Sequence, residues 1–478
     1  MKIKKIDIKE GLTFDDILII PQRSNINSRK EVDLSSKLTK NITLKLPIIS
    51  SPMDTVTEAD MAIALARSGG VGIIHRFCSI EYQVKQVEKV KRAENYLINN
   101  PICVNQETTL GEIKEKIENF EFQTFLVVDN NERLVGILSK RDYFLEENDN
   151  IKIKSLMTPF EKLVVSYKKI NLEEAKEIFK KYKIEKIPII DKNRKVKGLI
   201  TLKDLKYSLN KKAVRDKYGR LLVGAAIGVR GDFMERAYEL IKSGIDVLCI
   251  DIAHGHLSKS ILVIKKIKSK FPDIPLIAGN VATSEGARDL KKAGADIIKV
   301  GIGPGAACTT RVVTGVGVPQ ITAILLAKKG AGNTPVIADG GCKNYGDIAK
   351  ALAAGANFVM LGSMLAGTDE SPGEIFDIKG KKVKGFRGMS SYVAYKNKTK
   401  ELNESNDFEP TPEGISYGFV NYKGSVNEVL HNIEKALRSS FSYVGAKNLK
   451  EFNQKAKFIK ISSLGFRENM PHDIDYLD

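Results

Sequence analysis

Residues 297–320, IIKVGIGPGAACTTRVVTGVGVPQ, read as a buried strand that runs into a glycine-rich loop. Ile297, Ile298 and Val300 form the apolar run. Gly301, Gly303 and Gly305 let the backbone bend sharply after it, and Cys308 arrives at the turn with Thr309, Thr310 and Arg311 behind it. A thiol is thereby set at the carboxyl end of a strand, on a loop that can hold a nucleophile beside a phosphate. Free cysteines are more often small buried hydrophobes, so the surrounding pattern has to carry the weight.

That pattern recurs eight times. LPIISSPM from Leu46, GGVGIIH from Gly69, LVGAAIGV from Leu222, VLCIDIAHG from Val247, PLIAGNVAT from Pro275, IIKVGIGPG from Ile297, PVIADGG from Pro335 and FVMLGSM from Phe358 are short apolar segments closing on turn residues. Most precede a helix-like stretch rich in Ala, Lys and Glu. The alternation predicts an α/β chain folded as a (β/α)8 TIM barrel. Spacing is nearly even from the third segment onward, but about 93–214 intervene between the second and third, too long for a barrel loop. The expected domains are residues 1–92 as the first part of the barrel, 93–214 as an inserted module, and 215–478 as the rest, with active-site loop, flap and tail.

The insert repeats itself. FLVVDNNERLVGILSKRDYF matches KIPIIDKNRKVKGLITLKDLKY without a gap, Asp129 falling on Asp191, so that repeats of about 93–150 and 151–214 are expected. Each carries a Gly, then Ser or Thr, then Asp: Ser139 with Asp142, and Thr201 with Asp204. This resembles the tandem cystathionine β-synthase (CBS) module, which implies that these residues hold the ribose of an adenine or guanine nucleotide effector. A local role is also open, since Ser139 or Thr201 can cap a helix with Asp142 or Asp204 in its first turn.

Composition narrows the function classes. The 478 residues, 42% hydrophobic, suffice for a large core. A net charge of +18 raises nucleic acid as a partner. The lysines, however, are dispersed among acids and apolar residues, as in EIFKKYKIEK, which is the pattern of solvated helix faces. No nucleic acid partner is expected, and a small anionic substrate accounts for part of the basicity. No apolar run reaches the roughly 18 residues of a membrane helix, and the start MKIKKIDIKEG lacks a signal-peptide core, so a cytoplasmic protein without a membrane partner is expected. Cys78, Cys103, Cys249, Cys308 and Cys342 show no CxxC pairing, which points away from zinc and from a disulfide scaffold. His254 and His256 lack a third convergent metal ligand.

ADGGC at 338–342 and MLGSM at 360–364 close the seventh and eighth strands, where such barrels bind phosphate through backbone N–H groups. Gly340, Gly341 and Gly362 let the backbone approach phosphate oxygens, Ser363 adds a hydroxyl, and Asp339 can accept from both ribose hydroxyls. With LTFDDILIIPQRS, SSPMDTVTE, HRFCSIE, DIAHGHL, AGNVATSEGA, GMSS, PEG and LGFRENMPHD, these motifs resemble the IMP dehydrogenase and GMP reductase family over nearly the whole chain. The resemblance implies a purine mononucleotide substrate attacked at C2 by Cys308 to give a thioimidate, with Thr310 and Glu413 moving the proton. It implies that Met389 and Ser390 meet the purine edge, and that Asp251, Asn280, Gly301 and Gly303 lie on the nicotinamide side. It also implies potassium at Gly301, Gly303 and Cys308, completed near Glu468 of a neighbouring subunit, and a homotetramer or octamer.

The two activities of that family part at the thioimidate. An IMP dehydrogenase passes hydride to NAD and hydrolyses the adduct to XMP; a GMP reductase releases ammonia from GMP and takes hydride from NADPH. The dehydrogenases resemble one another in an Arg-Tyr pair on a mobile flap, the Arg deprotonating water. Residues 392–412 contain no arginine, and Lys396, Lys398 and Lys400 on a polar loop stay protonated. GMSS, DGGC and LRSSFSYVGAKNLKEF are similar to GMP reductases, whereas the insert, DIAHGHL, VNYKGSV and the tail are similar to IMP dehydrogenases. A GMP reductase is expected. The alternatives are an IMP dehydrogenase with another water-activating base and a catalytically lapsed nucleotide sensor, against which Cys308, Thr310 and Glu413 argue. Ala306 replaces a phosphate-contacting serine of the family and Phe386 stands near a usual tyrosine, so phosphate affinity is expected to fall unless Arg387 or water compensates.

Overall fold

The computed structural model describes residues 8–93, 98, 101–114, 124–168, 170–202, 205, 210–392 and 411–469. It divides into two compact units, Met1–Lys91 with Lys212–Asp478, and Arg92–Lys211.

The larger unit is the TIM barrel that the eight apolar segments predict. Strands β1 (Ile48–Ser50), β2 (Val71–Ile74), β3 (Gly224–Ile227), β4 (Val247–Asp251), β5 (Leu276–Val281), β6 (Ile297–Val300), β7 (Val336–Asp339) and β8 (Phe358–Leu361) are parallel and close in chain order, β8 pairing with β1 and β2 with β3. Helices α1 (Ala59–Arg67), α2 (Ile80–Arg92), α3 (Phe233–Ser243), α4 (Ser258–Lys270), α5 (Ser284–Ala293), α6 (Gln320–Ala331), α7 (Tyr345–Ala353) and α8 (Val426–Val444) follow the strands in turn. Strands covered on both faces have to be apolar throughout. Among the described residues of the eight strands, only Asp251, Asn280 and Asp339 escape full burial. All three sit at or near strand carboxyl ends.

Local sequence sets the helix limits. Thr283 accepts from Gly286 N to cap α5, and Gly244 and Gly294 end α3 and α5 in the left-handed conformation that glycine adopts freely. Asn344 and Asp347 form a reciprocal capping box on α7. Between β8 and α8 a three-stranded antiparallel sheet is inserted, β9 (Ile375–Ile378), β10 (Lys381–Phe386) and β11 (Gly418–Asn421).

The smaller unit repeats a β-hairpin. Thr124–Val128 pairs with Leu134–Ser139, and Lys186–Ile190 with Val196–Thr201, with the same bulge in each. Asp129 Oδ1 accepts from Asn131 and Arg133 N just as Asp191 Oδ1 accepts from Asn193 and Lys195 N. Glu132 and Arg194 take the matching left-handed positions at φ 61° and 62°.

One buried ion cluster stabilises the barrel where the chain returns to it. Lys91 Nζ, on a side chain 4% exposed, donates to Asp246 Oδ2 at 2.5 Å, Asp216 Oδ2 at 3.1 Å and Leu221 O at 3.0 Å. Replacing Lys91 with Met leaves Asp246 without its cation while Asp216 keeps Arg220 Nε at 2.9 Å, so a loss of about 3 kcal/mol is expected. Thermal unfolding checks this; an unchanged Tm would show that the cluster adds nothing.

Candidate active site

The barrel mouth holds a cavity of about 310 Å³. Every barrel residue expected at the site lines it: Cys308, Thr310 and Glu413; Asp339, Gly340, Gly341, Gly362, Ser363, Met389 and Ser390; Asp251, Asn280, Gly301 and Gly303. Ala306 and Phe386 line it as well. Ser139, Asp142 and Thr201 belong to the smaller unit.

Cys308 is placed by two hydrogen-bonded layers. Its N–H donates to Gly305 O at 3.0 Å, and an antiparallel bridge joins it to Gly414, with Thr309 N on Glu413 O at 2.9 Å and Ile415 N on Ala307 O at 3.0 Å. The 413–415 segment is held in turn by Glu413 N on Ser390 O at 3.0 Å and Gly388 N on Ile415 O at 2.9 Å. A side chain at Gly388 would place its Cβ 2.7 Å from Ala307 O, so these layers close only around glycine. The stack brings Thr310 Oγ1 within 3.2 Å of Cys308 Sγ and lets it donate to Glu413 Oε2 at 2.7 Å. Thiol, hydroxyl and carboxylate therefore form one continuous proton path.

Lys299 ties together the ends of β4, β5 and β7. Its side chain is 1% exposed, and Nζ donates to Asp251 Oδ1 at 2.7 Å, to Asp339 Oδ2 at 2.8 Å and to Asn280 Oδ1. Asn280 Nδ2 donates to Asp339 Oδ2 at 2.9 Å and to Gly301 O at 2.8 Å. Burial alone would push the ammonium down, but the charges of Asp251 and Asp339 hold it well above its ordinary value. Gly340 and Gly341 take φ of 83° and 90°, turning the chain after Asp339 as only glycine does without strain.

Two further cysteines behave as small hydrophobes. Burial pushes the Cys249 and Cys342 thiols well above their ordinary range. His256 Nε2 lies 2.9 Å from Asp289 Oδ2, and the described residues hold no cluster of three or more His, Cys, Asp or Glu fit for a metal. No described helix is long and apolar enough to cross a membrane.

The whole arrangement matches one family. A family model described as the IMP dehydrogenase / GMP reductase domain covers residues 11–472. The chain belongs to that family. Inosine-5'-monophosphate dehydrogenase of Aquifex aeolicus is 48% identical across 98% of this chain and 96% of its own. A crystal structure of GMP reductase from Trypanosoma brucei in complex with guanosine 5'-monophosphate is 42% identical with a TM-score of 0.92, covering 98% of this chain and 99% of that one. The same reductase in complex with guanosine 5'-triphosphate is 40% identical with a TM-score of 0.81, covering 95% and 99%. The family is one of purine-nucleotide oxidoreductases that use a nicotinamide cofactor.

The structure shows the local setting of other expected residues. Arg387, which with water was one of two groups that could offset a weakened phosphate site, donates Nε to Asp54 Oδ1 at 3.1 Å and Oδ2 at 2.9 Å and so ties the β10 exit to the β1 loop. In the smaller unit, Asp142 Oδ2 accepts from Ser139 N at 2.7 Å and Ser139 Oγ at 2.6 Å, the capping geometry. Asp204, Lys396, Lys398 and Lys400 lie outside the described residues. Two site residues went unassigned in the sequence. Lys299 looks like one more member of an apolar strand. Arg76, after β2, lines the cavity beside Asp251 with Nε buried and without a hydrogen-bond partner, and its guanidinium lies 4.7 Å from the Phe77 ring centre. Its only sequence signal was its place in HRFCSIE.

Cys308 is partly exposed, Cys103 exposed, and Cys78, Cys249 and Cys342 buried. In a Cys103→Ser protein, iodoacetamide is expected to modify Cys308 first, and saturating GMP or IMP to slow it. Peptide mass spectrometry reads the order; earlier modification of Cys249 or Cys342, or no protection, would contradict the assignment.

Proposed function

We propose that this family member is a GMP reductase, converting GMP, NADPH and two protons to IMP, NADP⁺ and ammonium. The observation that carries the proposal is the closed Cys308–Thr310–Glu413 path, combined with a flap segment, 392–412, that has no arginine to activate water. Cys308 bonds to C2 of GMP while Thr310, relayed from Glu413, delivers the proton that lets the 2-amino group depart as ammonia. Asp339, fixed by Lys299, takes the ribose hydroxyls, and the Gly340–Gly341 and Gly362–Ser363 turns take the phosphate. Bound NADPH supplies the hydride that returns C2 to the IMP state and frees the thiolate. Arg76, whose buried Nε has no hydrogen-bond partner among the described residues, stands next to Phe77 with Asp251 and Asn280 on the same cavity wall, which fits an anionic aromatic dinucleotide.

The identity to curated IMP dehydrogenases supports the second activity, IMP with NAD and water giving XMP and NADH, which requires a base other than a flap arginine. Potassium at Gly301, Gly303 and Cys308 enters no step here: Gly301 O already accepts from Asn280, although a carbonyl keeps a second lone pair for a cation. The trypanosomal complex with guanosine 5'-triphosphate supports a guanine nucleotide as effector for the Ser139–Asp142 and Thr201–Asp204 segments. A homotetramer or octamer is part of the same proposal; Val312 and Tyr417, 89% and 80% exposed, favour burial against a second copy.

Purified protein with GMP and NADPH is expected to consume NADPH with one ammonia and one IMP per turnover. XMP and NADH from IMP and NAD, with no ammonia from GMP, would establish the dehydrogenase instead. Cys308→Ala should abolish either turnover while keeping nucleotide binding. Thr310→Val and Glu413→Gln should each lower kcat by about 10²–10⁴ through loss of proton transfer.

A further inference from the structure

The turn after β8 is latched from behind by two ammonium groups that take no part in the chemistry above. Lys423 Nζ donates to Ser363 O at 2.6 Å, Ala366 O at 2.8 Å and Met364 O at 3.2 Å. Lys384 Nζ, on a residue 3% exposed, donates to Ser371 O at 2.7 Å, Thr368 O at 2.9 Å and Asp369 O at 3.4 Å. Residues 363–371 therefore direct two sets of three carbonyls at two cations. Three converging carbonyls match the three N–H donors of an ammonium, whereas a planar guanidinium cannot point its donors at all three.

The tethers of the two cations matter as much as their charge. Lys384 lies on β10, which runs directly into Gly388, Met389 and Ser390. Lys423 follows β11, which continues from Glu413, Gly414 and Ile415; β10 and β11 are paired, with Lys384 opposite Val420. Backbone bonds join the same parts, Lys423 N on Gly367 O and Asp369 N on Gly424 O, both at 2.9 Å. No side chain fits at Gly367, where a Cβ would collide with Asn421 O. The turn that offers Gly362 and Ser363 to the cavity is thus bonded to both strands that carry the purine-edge and proton-path residues.

We propose that Lys423, assisted by Lys384, is a positioning residue for the nucleotide phosphate: a fixed cation that holds the Ser363 turn in its phosphate-accepting shape and ties it to the roots of the flap. This rests on the nucleotide site assigned above, and the test separates the two. Affinities of GMP, IMP and their nucleosides are measured calorimetrically, without turnover, for the wild type, Lys423→Ala, Lys423→Arg and Lys384→Met. Lys423→Ala is expected to weaken both mononucleotides about tenfold, as loss of hydrogen bonds from a charged group implies, and to leave guanosine and inosine unchanged. Ethylammonium should restore mononucleotide affinity in Lys423→Ala, sodium should not, and Lys423→Arg should remain weak. Lys384→Met, which leaves the Ser363 cradle intact, should show a smaller loss of the same kind and serves if Lys423→Ala does not fold. Equal losses for nucleotide and nucleoside, or unchanged mononucleotide affinity, would overturn the proposal. Lack of NADPH oxidation by a wild type that binds GMP tightly would instead remove only the reductase assignment.

Discussion

The barrel mouth depends on one buried ammonium. Lys299 is the single charged residue of β6, and its Nζ is shared by Asp251 on β4, Asn280 on β5 and Asp339 on β7. Without that cation two carboxylates would face each other in a largely dehydrated space, a cost of several kcal/mol per ion. With it, each carboxylate has a cationic partner, and Asp339 keeps one oxygen for a ligand. The constraint reaches the backbone as well. Gly279 lies so close to Lys299 that a Cβ would sit 2.7 Å from the lysine Cβ, so β5 and β6 approach closely only because glycine precedes Asn280.

A second constraint is imposed by the flap roots. Thr310 and Glu413 are 103 residues apart, yet their hydrogen bond is among the shortest in the site. It forms because the Cys308 loop adds a bridge to Gly414, and 413–415 adds further bonds to 388–390. Backbone pairing thus sets the geometry of the proton path before any substrate enters, which is where preorganisation lowers a barrier most cheaply. Lys384 and Lys423 extend the same stitching to the Ser363 turn, so Cys308, the Thr310–Glu413 pair and that turn share one hydrogen-bonded scaffold.

The barrel was legible in the sequence because strands covered on both faces must be apolar, and eight such runs ended on turn residues. Asp251, Asn280 and Asp339 lie at or near the carboxyl ends of such runs, but Asp251 and Asn280 were assigned by resemblance to the family rather than by pattern. Lys299 did not stand out, since it lies inside the run and its partners come from three other strands, a proximity that only closure of the barrel creates. The partner of Arg387 was equally hidden from the sequence. Arg387 sits next to the purine-edge motif, but a bidentate partner 333 residues away, Asp54, captures it. In the insert, the ungapped match of its two halves foretold a repeated unit; the hairpin with left-handed Glu132 and Arg194 came from the structure, and it repeats because a five-residue Asp turn is a purely local device.

What divides the two chemistries of the family is physical rather than architectural. A threonine–glutamate relay is reversible: the pair that hands a proton to departing ammonia can take one from water. The relay alone therefore favours neither outcome, and the fate of the adduct turns on whether hydride or hydroxide reaches C2 first. The basic side chains of residues 392–412 are Lys396, Lys398 and Lys400, flanked by Glu401, Glu404 and Asp407. A lysine activates water only once it has lost its proton. The proposed reductase therefore requires that hydride from a reduced nicotinamide reach C2 before the relay delivers hydroxide.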